Sequence, residues 1–132
     1  MSLSAQILPQ ADKADAPTIL IAEDEVVVRG VVADHLRKAG FRVIEAFNAA
    51  EAVEVLQSGE AVDLVFTDIA MPGIMNGVML ARWIYIHRTD VQVVLASGSP
   101  ESARALPEQH LFLKPYDLDE IEAHIRDALD WT

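Results

Sequence analysis

Acidic, hydroxyl and ammonium side chains stand at the ends of four short apolar runs in this chain. Glu23 and Asp24 end the first run, Asp68 ends a later one, and Ser97 and Lys114 end two more. A carboxylate is a nucleophile that attacks phosphorus, and carboxylate oxygens are the ligands that Mg²⁺ prefers. A lysine ammonium and a serine hydroxyl can hold phosphoryl oxygens. The residue types therefore indicate Mg²⁺-assisted phosphoryl chemistry, provided that the fold brings them together.

Five strands alternating with helices would bring them together. The apolar runs predict strands over 18–22, 42–46, 63–67, 91–96 and 111–113. This alternation predicts an α/β fold, a doubly wound parallel sheet with helices on both faces. In a flavodoxin-like strand order 2-1-3-4-5, the first and third strands are neighbours, and the ligand site lies outside the carboxyl ends of the strands. Carboxylates that converge there need a cation between them or a shared proton.

Helix boundaries are marked by capping and stop residues. Gly40 predicts the end of the first helix, which follows Glu23-Asp24-Glu25. Asn48 with Glu51, and Asp117 with Glu120, predict capping pairs at the starts of two others. Further helices are predicted over 77–87 and, briefly, over 101–106.

Composition excludes several classes of protein. The chain has 132 residues, 52% of them hydrophobic, a net charge of −11 and no cysteine. Disulfides and thiolate metal sites are excluded, and nucleic acid is an unsuitable direct ligand for so acidic a chain. No apolar run approaches the roughly 20 residues that span a bilayer, and no signal peptide is visible, so a cytoplasmic location is predicted. We interpret residues 1–16 as a flexible leader and 17–132 as one domain.

Four motifs taken together resemble the receiver domain of two-component response regulators. They are Glu23-Asp24-Glu25, Asp68 with Met71-Pro72-Gly73, Ser97-Gly98, and Lys114-Pro115-Tyr116. Each motif alone is common, but all four in this order at strand ends are specific. The resemblance extends over about residues 18–130.

The resemblance implies a role for each residue of the predicted site. Asp68 would accept phosphate from a phosphohistidine of a histidine kinase or phosphotransfer protein, and Ser97 and Lys114 would bind the phosphoryl group. The Mg²⁺ ligands would be Glu23, Asp24, Asp68 and the carbonyl of Ala70. The domain would be a signalling switch that catalyses only its own phosphotransfer and dephosphorylation.

Some positions depart from the family pattern. Glu23 stands where Asp is more usual, and the loop after Asp68 is one residue longer than usual. Leu111 replaces the aromatic switch residue found three positions before the lysine in many members. The segment between Ser97 and Lys114 has room only for a helix of about two turns over 101–106. We therefore expect an altered output face.

The helix over 77–87 carries two apolar stripes. Val78, Ala81, Ile84 and Tyr85 are predicted to fill the core. A second stripe is predicted to be exposed, as a contact for a homodimer or another partner, unless loops cover it; it consists of Met79, Trp83 and Ile86.

Two other functions are compatible with the same residues. A receiver-like interaction module could work without phosphate, although the intact Asp24, Asp68, Ser97 and Lys114 argue against it. A Mg²⁺-dependent phosphatase with an aspartyl nucleophile usually has a second acid two residues after the nucleophile, where this chain has Ala70. Without that acid the leaving group lacks its proton donor.

Overall fold

A computed structural model describes residues 15–98 and 111–132 of the chain. The predicted leader, residues 1–16, lies outside the described residues except for its last two. The predicted helix over 101–106 also lies outside them.

Five parallel strands form one sheet in the order β2-β1-β3-β4-β5, which confirms the predicted topology. The strands are β1 (Thr18–Ala22), β2 (Arg42–Ala46), β3 (Leu64–Asp68), β4 (Gln92–Ser97) and β5 (Leu111–Leu113). β1 and β3 are apolar apart from threonine and the final Asp68, and every residue in both is buried, as is typical of central strands in a doubly wound sheet.

Four helices are described. They are α1 (Val26–Lys38), α2 (Ala49–Gln57), α3 (Gly77–His87) and α4 (Leu118–Leu129). The predicted caps are confirmed: Asn48 Oδ1 accepts a hydrogen bond from the Glu51 N–H (2.7 Å), and Asp117 Oδ1 accepts one from the Glu120 N–H (3.1 Å). Gly40 has a φ of 106°, a left-handed conformation that favours glycine just beyond a helix end.

The core has one cluster on each face of the sheet, because successive strand residues point to opposite faces. Ile19 and Ile21 of β1 pack towards α1 and α4, whereas Leu20 and Ala22 pack towards α2 and α3. The sheet is therefore covered by helices on both sides, and its carboxyl edge is left for polar side chains. No described helix is both long and apolar enough to cross a membrane.

The predicted packing of α3 was wrong in part. Leu80 and Ile84 are its large buried residues, and the side chain of Tyr85, predicted to lie in the core, is 80% exposed. Of the predicted exposed stripe, Met79 and Ile86 are exposed. Trp83 is half-buried against the α2–α3 core cluster, and its ring stacks on His87 at 4.6 Å. The helical period predicted two faces of α3 that could be buried. Only the packing of α3 against α2 and the sheet decides which of them is buried.

Two strand ends lie one residue later than predicted. β3 includes Asp68 and β4 includes Ser97. The backbone explains this difference, because Asp68 still pairs with Ala96 and the Ile69 N–H donates to the Ala96 carbonyl (2.9 Å). Both functional side chains therefore belong to the rigid sheet rather than to loops.

Candidate functional site

The predicted site residues meet at the carboxyl edge of the sheet. Asp68 ends β3, which lies between β1 and β4. Glu23 follows β1, and its N–H donates to the Ala46 carbonyl (3.0 Å). Lys114 follows β5, and its N–H donates to the carbonyl of Ser97 (2.9 Å). Backbone hydrogen bonds thus fix the positions from which these side chains extend.

The ammonium of Lys114 lies at the centre of the site. Its Nζ donates to Glu25 Oε1 (2.7 Å) and to Asp68 Oδ2 (2.8 Å), and it lies 3.1 Å from Glu23 Oε1. Burial acts to lower the pKa of Lys114, but the hydrogen bonds that it donates to Asp68 and Glu25, together with the nearby Glu23 carboxylate, outweigh burial and hold the pKa above its usual value. Lys114 is therefore charged at every physiological pH.

Asp68 is a buried carboxylate with both oxygens engaged. Oδ1 accepts a hydrogen bond from the Ala70 N–H (2.9 Å), and Oδ2 accepts the one from Lys114. The hydrogen bond from the Ala70 N–H closes a short turn directly after the end of the strand. It fixes the carboxylate orientation and brings the Ala70 backbone to the edge of the site.

Glu23 is the most deeply buried acid of the site, with 2% of its surface exposed. Its Oε2 accepts from the Glu25 N–H (3.1 Å), whereas Oε1 makes no directed hydrogen bond even though Lys114 Nζ is near. Burial raises the pKa of Glu23, and the Glu25 N–H and Lys114 only partly oppose this effect. Glu23 thus presents a buried oxygen that still lacks a well-directed partner.

Gly77 allows the loop after Asp68 to return to the strand end. A Cβ at this position would lie 1.9 Å from the Asp68 carbonyl oxygen, and the Gly77 N–H donates to the Ile69 carbonyl (3.1 Å). No side chain other than hydrogen fits there. The lack of a side chain at Gly77 therefore allows the loop backbone to pack directly against the backbone of Asp68.

The structure brings together most, but not all, of the predicted site. Glu23, Asp68 and Lys114 are in contact, and buried Ser97 ends the neighbouring strand. Glu25 was not predicted as a ligand, but its carboxylate belongs to the cluster and accepts a hydrogen bond from Lys114. Asp24 is half-buried and is not among the clustered carboxylates of the described residues. Three consecutive acids end β1, and the sequence could not show which of them turn inward.

The donor set fits Mg²⁺. Glu23, Glu25 and Asp68 each place one oxygen within 4.8 Å of the others. Three carboxylates and one ammonium leave a net negative site, and Glu23 Oε1 is a buried oxygen without a directed partner. Hard oxygen ligands of this kind suit Mg²⁺, and the described donors at this edge include no imidazole.

A second group of ionisable residues joins α1 to α4. His35 Nε2 lies 2.9 Å from Glu122 Oε1 and 3.8 Å from Asp119 Oδ1, and Arg126 donates to the other oxygen of Glu122 (2.9 Å). The hydrogen bond from Arg126 lowers the pKa of Glu122, and His35 contributes in the same direction. His35 thus lies in a contact between helices, away from the carboxyl edge of the sheet.

The sequence profile of the response regulator receiver domain matches residues 19–126. This chain belongs to that family. The receiver domain matched includes every residue of the carboxyl-edge site. It is a domain of two-component signalling systems.

Known proteins similar to this receiver domain agree with that assignment. The sensor kinase CckA of Brucella abortus is 32% identical over an alignment of 125 residues, and the match covers 90% of this chain but 13% of the kinase. The crystal structure of a response regulator receiver protein from Sinorhizobium medicae superposes with a TM-score of 0.79 at 28% identity, covering 89% of this chain and 97% of the other. The response regulator TrrA of Thermotoga maritima, crystallised in complex with Mg²⁺-BeF, gives a TM-score of 0.73 at 26% identity, covering 84% and 97%.

Replacing Gly77 should disrupt the site and the fold together. We expect Gly77→Ala to lower the free energy of unfolding by about 3 kcal/mol, because the added methyl overlaps the Asp68 backbone. Gly30→Ala is the matched control, since a methyl there meets nothing within 4 Å and lies on a helix. It should stabilise by roughly 0.5–1 kcal/mol. Urea unfolding measures the free energy of unfolding of both variants. An equal change in the two variants would contradict the close approach of Gly77 to the Asp68 backbone.

Neutralising Glu23 should stabilise the metal-free protein. Because burial raises the pKa of Glu23, ionised Glu23 costs folding free energy at neutral pH; the cost disappears as the pH falls below the usual value of 4.5. In EDTA at pH 7, Glu23→Gln should raise the unfolding free energy by about 1–2 kcal/mol, and the gain should shrink towards acid pH. Exposed Glu60→Gln serves as the control. Destabilisation of Glu23→Gln at every pH would refute this account.

Proposed function

We propose that this receiver domain accepts a phosphoryl group on Asp68 from a phosphohistidine donor and works as a signalling switch. The observation that carries the proposal is the buried Asp68 carboxylate, which ends a central strand 2.8 Å from the Lys114 ammonium. A purely structural carboxylate would not need three further polar side chains from three other strand ends.

The residues present account for each part of the transfer. An Asp68 oxygen forms a bond to phosphorus while the phosphorus–nitrogen bond of the donor breaks, and the imidazole leaves with the bonding electron pair. It leaves as a neutral ring when its other nitrogen carries a proton. Lys114 turns one of its three N–H donors to a phosphoryl oxygen, and the Ser97 hydroxyl offers another donor.

Glu23, Asp24, Asp68 and the Ala70 carbonyl would hold Mg²⁺, with Glu25 close enough to contribute. When bound, Mg²⁺ supplies positive charge that offsets repulsion between the phosphoryl group and the carboxylates. The Mg²⁺-BeF complex of TrrA supports this assignment for a related receiver domain. A phosphate-independent interaction module is the alternative, and it leaves the convergence of Asp68, Lys114 and Glu23 without a purpose.

Phosphorylation is tested directly by mass spectrometry. With Mg²⁺ and acetyl phosphate or phosphoramidate, the wild type should gain the mass of one phosphoryl group, and Asp68→Asn should gain none. Exposed Asp127→Asn is the matched control and should be modified like the wild type. A folded wild type that gains no phosphoryl group from any donor would favour the phosphate-independent module.

The donor protein must reach Asp68 past an apolar groove. This groove, with a volume of about 510 Å³, lies between α1 and the start of α4 and opens at Lys114. It is lined by Val27, Val28, Val31, Pro115, Tyr116 and Leu118, among others. Val27 is 78% exposed although it is apolar. We infer that an apolar surface of the phosphohistidine donor covers this groove, because the groove is continuous with the site. The sensor kinase among the relatives supports a kinase or phosphotransfer protein as the donor.

A charged residue in the groove should slow phosphoryl transfer from protein donors but not from small-molecule donors. We expect Val27→Asp to slow phosphoryl transfer from a phosphorylated histidine phosphotransfer domain about tenfold or more, and to leave labelling by acetyl phosphate unchanged. An acid in the first turn of α1 favours the helix, so unfolding would not explain the loss.

Ile86→Asp is the matched control, since Ile86 is exposed on α3, away from the groove. It should leave both transfer rates unchanged. Equal loss in both variants, or loss with both kinds of donor, would refute the groove as the docking surface.

A further inference from the structure

The three acids that follow β1 form the whole connection to α1, which begins directly after them. Glu25 is the N-cap residue of α1, but its side chain makes no capping hydrogen bond, and the first turn of the helix contains no acidic residue. The connection from Glu23 to Glu25 therefore lacks the side-chain cap that usually fixes the start of a helix. Its backbone depends on contacts with groups from elsewhere.

Arg29 of α1 turns back and binds this connection. Its Nη1 donates to the Glu23 carbonyl (2.8 Å), and its backbone N–H donates to the Glu25 carbonyl (2.9 Å). The Glu23 carbonyl belongs to the peptide group that joins Glu23 to Asp24, and a peptide group is planar. The hydrogen bond from Arg29 therefore fixes the plane of the peptide between two of the acids that would hold Mg²⁺.

Arg29 is itself held by the edge strand β2. Its Nε donates to Glu45 Oε1 (3.3 Å), and only 16% of its side chain is exposed. The other oxygen of Glu45 accepts a hydrogen bond from Arg37 Nη1 (3.1 Å). Glu45 thus directs the guanidinium of Arg29 and also balances its charge. That balance is needed here, because an unpaired cation is unfavourable near a helix N-terminus and would repel a metal ion.

The backbone of Glu23 is consequently held on both sides. Its N–H donates to the Ala46 carbonyl of β2 (3.0 Å), and its carbonyl accepts the hydrogen bond from Arg29. The Glu25 N–H in turn donates to Glu23 Oε2 (3.1 Å), so a shift of the connection would move the Glu23 carboxylate as well. Contacts that orient metal ligands from behind contribute to metal affinity without touching the metal.

We propose that Arg29 is a positioning residue of the Mg²⁺ site, which holds the Glu23–Asp24 peptide in the orientation that Mg²⁺ binding requires, and that Glu45 keeps Arg29 in place. The inference rests on the proposed function, since it takes Mg²⁺ to bind at the carboxyl edge. Arg29 acts on the metal ligands and not on the phosphoryl group. Its loss should therefore raise the Mg²⁺ concentration that the site needs, and leave the rate of phosphoryl transfer at saturating Mg²⁺ unchanged.

A titration with Mn²⁺, followed by electron paramagnetic resonance of the free ion, measures the metal affinity without relying on phosphoryl transfer. Mn²⁺ takes the same kind of oxygen ligands as Mg²⁺. Arg29→Lys keeps the charge, but a compact ammonium replaces the fork that reaches Glu23 and Glu45 together. It should weaken Mn²⁺ binding about tenfold. Arg37→Lys is the matched control and should leave the affinity unchanged: Arg37 also pairs with Glu45, but its other partner is the Val43 carbonyl.

Asp68→Asn identifies the Mn²⁺ that belongs to this site, because it leaves the separate His35 group intact. In labelling by acetyl phosphate, Arg29→Lys should raise the Mg²⁺ concentration for half-maximal rate about tenfold and leave the maximal rate unchanged. A normal Mn²⁺ affinity in Arg29→Lys, or equal losses in Arg29→Lys and Arg37→Lys, would overturn the inference while the proposed function stands. A wild type from which Asp68→Asn removes no bound Mn²⁺ would instead overturn the Mg²⁺ site of the proposed function.

A double-mutant cycle tests whether Glu45 acts through Arg29. Glu45→Ala alone should weaken Mn²⁺ binding about threefold, less than Arg29→Lys does, because Glu45 lies one contact further from the acids. Arg29→Met keeps the apolar stem of the side chain and removes the guanidinium, and in this background Glu45→Ala should have no further effect. Equal losses in the two backgrounds, or no loss in either, would refute the role of Glu45.

Discussion

The ammonium of Lys114 holds three carboxylates in one small volume, and the arrangement of the whole carboxyl edge depends on it. Two unit charges 4 Å apart interact by about 4 kcal/mol at the effective dielectric constant near a protein surface. Glu23, Glu25 and Asp68 lie at comparable separations, so their repulsion would push them apart without a cation. Lys114 reaches these carboxylates because β5 pairs with β4, and because the Lys114 N–H donates a hydrogen bond to the Ser97 carbonyl. The strand order is therefore a condition of the chemistry.

A site assembled in this way costs the protein stability. Lys114 pairs well with Asp68 and Glu25, but Glu23 remains a buried carboxylate whose pKa is raised by burial and whose second oxygen has no directed partner. A buried charge without a well-placed partner is destabilising, and a bound cation would supply that partner. This cost favours the binding of a divalent cation at this edge.

The sequence predicted the features that follow from local pattern. Strand order, the caps at Asn48 and Asp117, and the convergence of Glu23, Asp68 and Lys114 were confirmed, because each depends on periodicity, turn chemistry or the position of a strand end. The features that it missed depend on tertiary contacts. Tyr85 was placed in the core although the packing of α3 turns it outwards. The tight approach of Gly77 to Asp68 also needs the folded backbone to be seen.

The length of the Glu23 side chain, where aspartate is more usual, lets one carboxylate make two contacts at once. Glu23 Oε2 turns back to the N–H of Glu25 while Oε1 extends to within 3.1 Å of Lys114. An aspartate, shorter by one methylene, could not keep the first contact and still extend as far towards Lys114. The longer acid thus places a buried oxygen beside the Lys114 ammonium, at the edge where the donor set fits Mg²⁺.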